Sequence, residues 1–164
     1  MKQLILVGAG LISFCAGCAP QVPLSATIQA HFSGKSLEVL NASVADIERE
    51  AGSPFMHDSK SEYEIDVRFG ELDSGTLGQT LADELDECAV VINDSLISPG
   101  SKYSDADLRH VFIHELGHCF GLMHNADPMS MMYWVYNPLQ NTAKSLREFA
   151  RDINMARGVT NECK

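Results

Sequence analysis

The sequence predicts a single domain of the α+β class, with a small β-sheet, a central helix and a C-terminal helix. Residues 63–69 alternate apolar and polar side chains with a period of two, which is typical of a strand with one buried face. Residues 88–93 are apolar and rich in β-branched side chains, as in a buried strand. A helix-start signal precedes residues 105–120, and residues 142–157 carry apolar side chains at helical spacing. The 147 residues that follow residue 17 are enough for one core but not for two.

The first 17 residues have the layout of a signal peptide of the lipoprotein type. Lys2 precedes an apolar run over residues 4–14, which is too short to span a membrane, and small residues follow it. Residues 15–18, Cys-Ala-Gly-Cys, resemble a bacterial lipobox, although the first cysteine stands where leucine is usual. We therefore expect removal of residues 1–17 and lipidation of Cys18, with cleavage to a soluble secreted form as the alternative.

This signal indicates an exported protein that is lipid-anchored in a bacterial cell envelope. Ala19 follows the lipobox cysteine, and the absence of aspartate there goes with outer-membrane sorting if the host is Gram-negative. Residues 18–35 contain Pro20 and Pro23 and are interpreted as a tether or lead-in segment. Residues 36–164 then form the predicted folded domain.

The first elements are predicted from local signals. Residues 27–32, inside the lead-in segment, are a candidate first strand. Ser43 and Asp46 have the spacing of a capping box, which predicts a helix that begins there and ends before Gly52. The strand over residues 63–69 follows.

The middle of the chain contains a loop, an edge strand and the central helix. Residues 71–78 are predicted as loop and residues 79–82 as a short edge strand, ahead of the buried strand and of a turn at residues 98–100. Ser104 and Asp107 form a second capping box, which starts the helix over residues 105–120.

The last helix, over residues 142–157, is amphipathic, and Gly158 is its predicted C-cap. Its expected apolar face consists of Leu146, Phe149, Ile153, Met155 and Ala156.

Residues 114–124 read His-Glu-Leu-Gly-His-Cys-Phe-Gly-Leu-Met-His, and this spacing predicts a metal site. On a helix, His114 and His118 lie four residues apart on one face, so both rings can reach one zinc ion at about 2.0–2.1 Å. Gly121 can take the positive φ that ends the helix and reverses the chain, which brings His124 back as a third ligand. Three nitrogen ligands leave a fourth position open for water, as in catalytic zinc sites.

Glu115 supplies the remaining chemistry. It points about a quarter turn away from His114, where its carboxylate can take a proton from the zinc-activated water. A structural zinc site would need no such base, and histidines and a carboxylate at these offsets are rare by chance. We therefore interpret Glu115 as the general base of a hydrolase.

The motif resembles the long zinc signature of the metzincin endopeptidases, and residues 127–133 resemble the methionine-containing turn of that clan. Within the metzincins it is most similar to the matrixins. Gly117 between the glutamate and the second histidine, Gly-Leu at residues 121–122 and Met-Tyr at residues 132–133 fit that family. Asn125 is a departure, because matrixins usually have serine after the third histidine.

The resemblance implies a metzincin-like (zincin) fold in which a zinc-binding helix lies beside a small mixed sheet and a C-terminal helix closes the lower lobe. It implies Met132 as the methionine under the metal, with Met131 as a second candidate. Tyr133 is a candidate to lie near the metal or to contact the transition state, and its role stays open. An edge strand that binds substrate as an added antiparallel strand is also implied, with residues 77–83 as the candidate.

The other histidines are not predicted ligands. His110 lies one turn before His114, about 5.4 Å along the axis and too far to share its ion, so we expect it beside the site or at the surface. His31 and His57 have no partner at ligand spacing. Gly117 is expected to permit a close approach of backbone or substrate, at a cost of about 1 kcal/mol in helix propensity.

The cysteines allow few disulfides. If Cys18 carries lipid, Cys88, Cys119 and Cys163 remain, and they permit at most one intramolecular disulfide, whose pairing stays open. Cys119 lies about 100° around the helix from His118, so we expect it to pack away from zinc as a small buried apolar side chain.

The charge balance excludes one class of partner. Twelve basic and 22 acidic residues give a formal net charge of −10, which argues against nucleic acid. The expected partners are a protein or peptide substrate and, through the lipid anchor, a membrane, with the chain as a monomer.

These observations together predict a zinc-dependent metalloendopeptidase with one catalytic zinc ion, and they leave calcium open. The alternative is a catalytically inactive, zinc-stabilised binding module anchored at the cell envelope. Peptidase activity distinguishes the two functions.

Overall fold

A computed structural model describes residues 23–56, 60–61, 63–82, 87–137 and 142–158 of the chain. The strands are β1 (Thr27–Ala30), β2 (Glu64–Gly70), β3 (Gly78–Ala82) and β4 (Glu87–Asn93), and the helices are α1 (Lys35–Ala51), α2 (Asp105–Cys119) and α3 (Ala143–Ala156). The α+β class predicted from the sequence is confirmed. Among these helices, none is long and apolar enough to cross a membrane.

The four strands form one mixed sheet in the order β1-β2-β4-β3. Strand β1 is parallel to β2 and β2 is parallel to β4, whereas β3 runs antiparallel to β4. Strand β3 is therefore an edge strand, as predicted, and it begins at Gly78 rather than residue 79. Strand β1 is the opposite edge and lies inside the segment 18–35.

Helix α1 begins earlier than the capping-box prediction placed it. It starts at Lys35, after Gly34 with φ of 67°, so the predicted start at Ser43 is wrong. Ser43 is buried in the middle of the helix, and its Oγ donates to the carbonyl oxygen of Val39, four residues earlier. The buried apolar residues of α1 begin at Val39, before Ser43. Their packing in the core therefore requires a helix that starts earlier than the capping-box pattern predicts. The end is as predicted, at Gly52 with φ of 76°.

The boundaries of α2 and α3 agree with the sequence. The Ser104 side chain accepts from the backbone N–H of Asp107 and the Asp107 side chain accepts from that of Ser104, which completes the predicted capping box of α2. Thr142 caps α3 by accepting from the N–H of Ser145. Gly158 has φ of 70°, beyond the C-cap Arg157, so it is the left-handed residue that follows the helix.

One part of the predicted apolar face of α3 is wrong. Leu146, Phe149 and Ile153 are buried, but Met155 is 62% exposed. Asn154 takes the buried position instead, because its side-chain amide donates to the carbonyl oxygen of Ala51 at the end of α1. The carbonyl oxygen of Ala51 lies in the last turn of α1 and has no partner within that helix, and the buried Asn154 supplies one. Helical periodicity alone favoured Met155 at the buried position.

Helix α2 lies in the core and packs against β3, β4 and α1, while α3 packs against α1. Aromatic rings join α2 to the sheet: the Phe32 ring is 4.8 Å from that of Phe69 and 5.9 Å from that of Phe112. Most residues of α2 are buried, on more than one face of the helix. This packing holds residues 114–119 in place relative to the sheet.

The N-terminal part of the described chain is bound to the end of α3. Arg157 donates from Nε to the carbonyl oxygen of Leu24 at 2.8 Å, and its guanidinium lies 3.9 Å from the centre of the Phe55 ring. The N–H of Ala26 donates to the carbonyl oxygen of Phe55. These contacts hold the part of the lead-in segment that precedes β1 against the end of α3 and against Phe55.

The signal-peptide and lipidation predictions lie outside the described residues, as do His57 and Cys163. They stay predictions.

Cys88 and Cys119 form a disulfide, with their Cα atoms 5.7 Å apart. Cys119 is buried, with 3% of its surface exposed, and is not among the converging histidine ligands, and the one disulfide whose pairing the sequence left open is formed with Cys88. Cys88 is near the start of β4, and this part of the strand lies next to the C-terminal end of α2. The spacing of the cysteines in the sequence does not reveal this tertiary contact. The bond ties α2 to β4 directly after His118.

Replacing both cysteines by alanine is expected to lower the free energy of unfolding by about 3–4 kcal/mol, because the disulfide closes a loop with a sequence separation of 31. Urea unfolding of the wild type and of the Cys88→Ala, Cys119→Ala double variant measures the difference. The wild type under reducing conditions is the control, since it should unfold at the same urea concentration as the variant. Equal midpoints for the oxidised wild type and the variant would exclude a stabilising disulfide.

Candidate metal centre

Helix α2 and the turn after it bring three histidines together. His114 and His118 lie one turn apart near the end of α2, and the helix stops at Cys119. Gly121 follows with φ of 76°, and the N–H of Leu122 donates to the carbonyl oxygen of Gly117, so the chain reverses there as predicted. His124 then returns towards the helix.

The Nε2 atoms of the three rings converge. Nε2 of His114 is 3.2 Å from Nε2 of His118 and 3.3 Å from Nε2 of His124. On the other side of each helical ring, Nδ1 of His114 lies 2.8 Å from the carbonyl oxygen of Met131, and Nδ1 of His118 lies 2.7 Å from that of Leu122. A carbonyl oxygen can only accept, so both Nδ1 atoms carry the proton and both Nε2 atoms present lone pairs.

Lone pairs that face one another at this distance repel unless a cation lies between them. Two nitrogens at about 2.05 Å from a tetrahedral zinc ion are about 3.3 Å apart, the spacing found here. Among the described residues, these histidines are the one group of three or more potential ligand side chains able to hold a metal. The donor set therefore fits zinc.

Burial keeps the imidazoles neutral, which is the form that binds metal. Desolvation lowers the pKa of His114 well below its usual value, and the neighbouring His118 lowers it further. Desolvation likewise lowers the pKa of His118 to about 4 and lowers that of His124.

Glu115 is completely buried on the side of α2 that faces β3. Its Oε2 accepts a hydrogen bond of 2.6 Å from the hydroxyl of Thr80, and its Oε1 has no hydrogen-bond partner among the described residues. Burial raises the pKa of Glu115 to about 7, against the opposing effect of the Thr80 hydrogen bond. A carboxyl group with this pKa can both accept and release a proton near neutrality.

The turn after His124 packs against the end of α2 that carries His114 and His118. Met131 and Met132 are both buried, and the N–H of Asn125 donates to the carbonyl oxygen of Met132. The Met132 sulfur and the Phe149 ring both press against Gly117, where an added Cβ would lie 2.7 Å from each. Gly117 thus permits a close approach of side chains, rather than of the backbone or substrate expected from the sequence.

Residues 29–156 match the family model described as matrixin, which is most of the chain. The chain belongs to the matrixin family. Matrixins are zinc metallopeptidases, so the chain is a zinc metallopeptidase by family.

The matrixin assignment agrees with the fold. The chain is similar to the crystal structure of archaemetzincin from Methanopyrus kandleri, with 14% sequence identity and a TM-score of 0.54. The similarity covers 80% of this chain and 96% of that chain. It shows a metzincin-like fold, as predicted from the zinc signature.

The two methionines of the matrixin turn contact helix α2 in different ways. The carbonyl oxygen of Met131 accepts from Nδ1 of His114, whereas the Met132 sulfur lies against Gly117 in the next turn of α2. Tyr133 forms an isolated bridge with Asn125, and its ring centre lies 6.1 Å from that of Trp134. These contacts do not involve the histidines, and the role of Tyr133 stays a prediction.

His110 is buried beside the matrixin site, so its expected place at the surface is wrong and its expected place beside the site is correct. Its ring centre is 6.4 Å from that of His114 and 5.0 Å from that of Tyr136. The Tyr136 hydroxyl donates to Asp107, the residue that also caps α2. The segment after the methionine turn is thus bonded to the start of the zinc-signature helix.

Three residues that contact the site or its helix, Thr80, Gly78 and Tyr136, were not predicted from the sequence of this matrixin. No local signal identifies them, because each acts through a contact distant in sequence, such as the separation of 35 residues between Thr80 and Glu115. The alternation of β3 would have given only the face on which Gly78 and Thr80 lie.

Proposed function

We propose that the protein is a zinc-dependent endopeptidase in which His114, His118 and His124 hold one zinc ion and Glu115 is the general base. The observation that carries the proposal is the convergence of the histidine Nε2 atoms at 3.2 and 3.3 Å, with Nδ1 of His114 and His118 hydrogen-bonded to carbonyl oxygens. When bound, zinc supplies a Lewis acid that polarises a peptide carbonyl and lowers the pKa of water towards about 7.

The protein's own groups supply the proton transfers. Glu115 takes a proton from the attacking water and gives it to the amine that leaves when the peptide bond breaks. Its raised pKa, caused by burial, favours both steps near neutral pH. Met131 supports the orientation of His114, and Met132 fills the space beneath the helix at Gly117. An intact general base favours an enzyme over an inactive binding module, because binding alone requires no such residue.

The proposed substrate is a protein or peptide in extended conformation. Strand β3 is an edge strand, and backbone groups on its open side can pair with an added antiparallel strand. Apolar side chains are exposed on β3, at Leu81 (52%), and on the segment that follows α2, at Met123 (62%) and Trp134 (48%). Exposed apolar side chains of this kind suit contact with apolar residues of a polypeptide.

We also propose that the protein is exported and anchored through a lipid on Cys18. The disulfide between Cys88 and Cys119 supports export, because such bonds persist in oxidising compartments. The lead-in segment, bound by Arg157, then connects the anchor to the folded domain.

Cleavage of an unfolded protein by purified residues 19–164 tests the proposal. Activity should require zinc, disappear with a chelator and return when zinc is restored, with fragments arising from internal bonds. A folded protein that binds one zinc ion and cleaves no peptide bond would favour the binding module instead.

A further inference from the structure

The edge strand β3 contacts Glu115 in two places, and we propose that Thr80 and Gly78 are positioning residues for this carboxylate. The edge strand proposed to bind substrate would then also set the orientation of the general base. This inference rests on the proposed function, since it concerns how Glu115 is held for proton transfer.

The first contact is a hydrogen bond. Thr80 Oγ1 lies 2.6 Å from Oε2 of Glu115 and 3.1 Å from the carbonyl oxygen of the same residue. A hydroxyl has one proton to donate, and the ionised carboxylate is the stronger acceptor at the shorter distance. Thr80 is 9% exposed and Glu115 is fully buried, so water does not compete freely for this bond.

The second contact is a close approach at Gly78. A Cβ on this residue would lie 2.6 Å from Oε1 of Glu115, 2.7 Å from its Cγ and 2.8 Å from its Cδ. Real Cβ atoms do not come so close to other heavy atoms, so any other residue at this position would displace the carboxylate. Gly78 and Thr80 are two positions apart on β3 and therefore share the face directed at α2.

The two carboxylate oxygens of Glu115 differ in their hydrogen bonding. Oε2 is held by Thr80, whereas Oε1 is buried and has no hydrogen-bond partner among the described residues. Buried carboxylate oxygens are normally paired, so an unpaired one on the residue that directly follows His114 indicates an oxygen kept available for a ligand or water. The Thr80 bond fixes one oxygen and thereby directs the other.

Matched variants at Thr80 separate this role from simple packing. Thr80→Val keeps the shape of the side chain and removes the hydroxyl, whereas Thr80→Ser keeps the hydroxyl and removes a methyl group. Crystal structures of the zinc-free variants show where the Glu115 carboxylate lies, without any dependence on activity. Steady-state kinetics and zinc content of the loaded proteins then give the functional consequence.

In Thr80→Val we expect the carboxylate to turn away from its wild-type position and kcat to fall by roughly 10–100-fold, the usual effect of losing an outer hydrogen-bond partner. KM should change less than about twofold and zinc content should stay at one ion, because neither the ligands nor the substrate-binding edge is altered. Thr80→Ser should keep the wild-type carboxylate position and recover most of kcat. Gly78→Ala should displace the carboxylate in the same way while the Thr80 hydroxyl is present.

An unmoved carboxylate in Thr80→Val, or wild-type kcat in that variant, would overturn the inference. Equal losses in Thr80→Val and Thr80→Ser would also overturn it, because packing rather than the hydroxyl would then be responsible. If the wild type itself cleaves nothing, the proposed function fails, and the zinc-free structures alone decide whether Thr80 and Gly78 orient Glu115.

Discussion

Replacing Glu115 by alanine is expected to lower kcat by roughly 10²–10⁴-fold while the protein still binds one zinc ion. That range is the usual contribution of a positioned general acid or base. The zinc content should not change, because the three converging nitrogens belong to His114, His118 and His124. Kinetics on a peptide substrate, with metal analysis of the same sample, measures both quantities.

Two further variants control this experiment. Glu115→Gln keeps the size of the side chain and loses the ability to take a proton, so its kcat should be as low as that of the alanine variant. Glu38→Ala removes an exposed carboxylate on α1 and should leave kcat unchanged. Activity of Glu115→Gln near the wild-type level would refute the assignment of Glu115 as the base.

The second large effect is expected for His118→Ala. Loss of one of three nitrogen ligands should weaken zinc binding by more than the roughly 10–100-fold that follows from loss of an outer hydrogen-bond partner. Peptidase activity should fall to background at limiting zinc. Competition with a chromophoric chelator measures the zinc dissociation constant of each protein.

Thermal unfolding with and without zinc gives a second measure of the same change. A ligand at 100 times its Kd stabilises a protein by about 2.7 kcal/mol, so zinc should raise the Tm of the wild type and not that of His118→Ala. His110→Phe is the matched control on the same helix, because His110 is buried beside the site but is not one of the converging histidines. Zinc binding that survived in His118→Ala and vanished in His110→Phe would refute the ligand set.

The parts of the fold that local signals determine were predictable. The capping box at Ser104 placed the start of α2, and the period-two pattern of residues 63–69 placed β2. The helical spacing of His114 and His118 and the left-handed Gly121 likewise predicted the approach of His124. In each case, a few neighbouring residues contain the whole physical cause.

The parts that depend on distant contacts were not predictable. Ser43 resembled a helix cap but is buried in α1, because the core selects the apolar residues that begin at Val39. The Cys88–Cys119 bond requires β4 to lie beneath the end of α2, and the spacing of the cysteines does not reveal that. The same holds for Thr80, whose hydroxyl reaches Glu115 only because β3 runs antiparallel to β4 at the edge beside α2.

The strand order β1-β2-β4-β3 determines which edge of the sheet an anchored molecule would present. The lead-in segment joins the domain at β1, and β3 lies three strand spacings away, about 14 Å across the sheet. A tether attached to that segment would therefore pull on the edge opposite to Gly78 and Thr80. The edge formed by β3 would face away from the point of attachment, so that dissolved or neighbouring polypeptides, rather than the lipid surface beneath the domain, would have direct access to this strand.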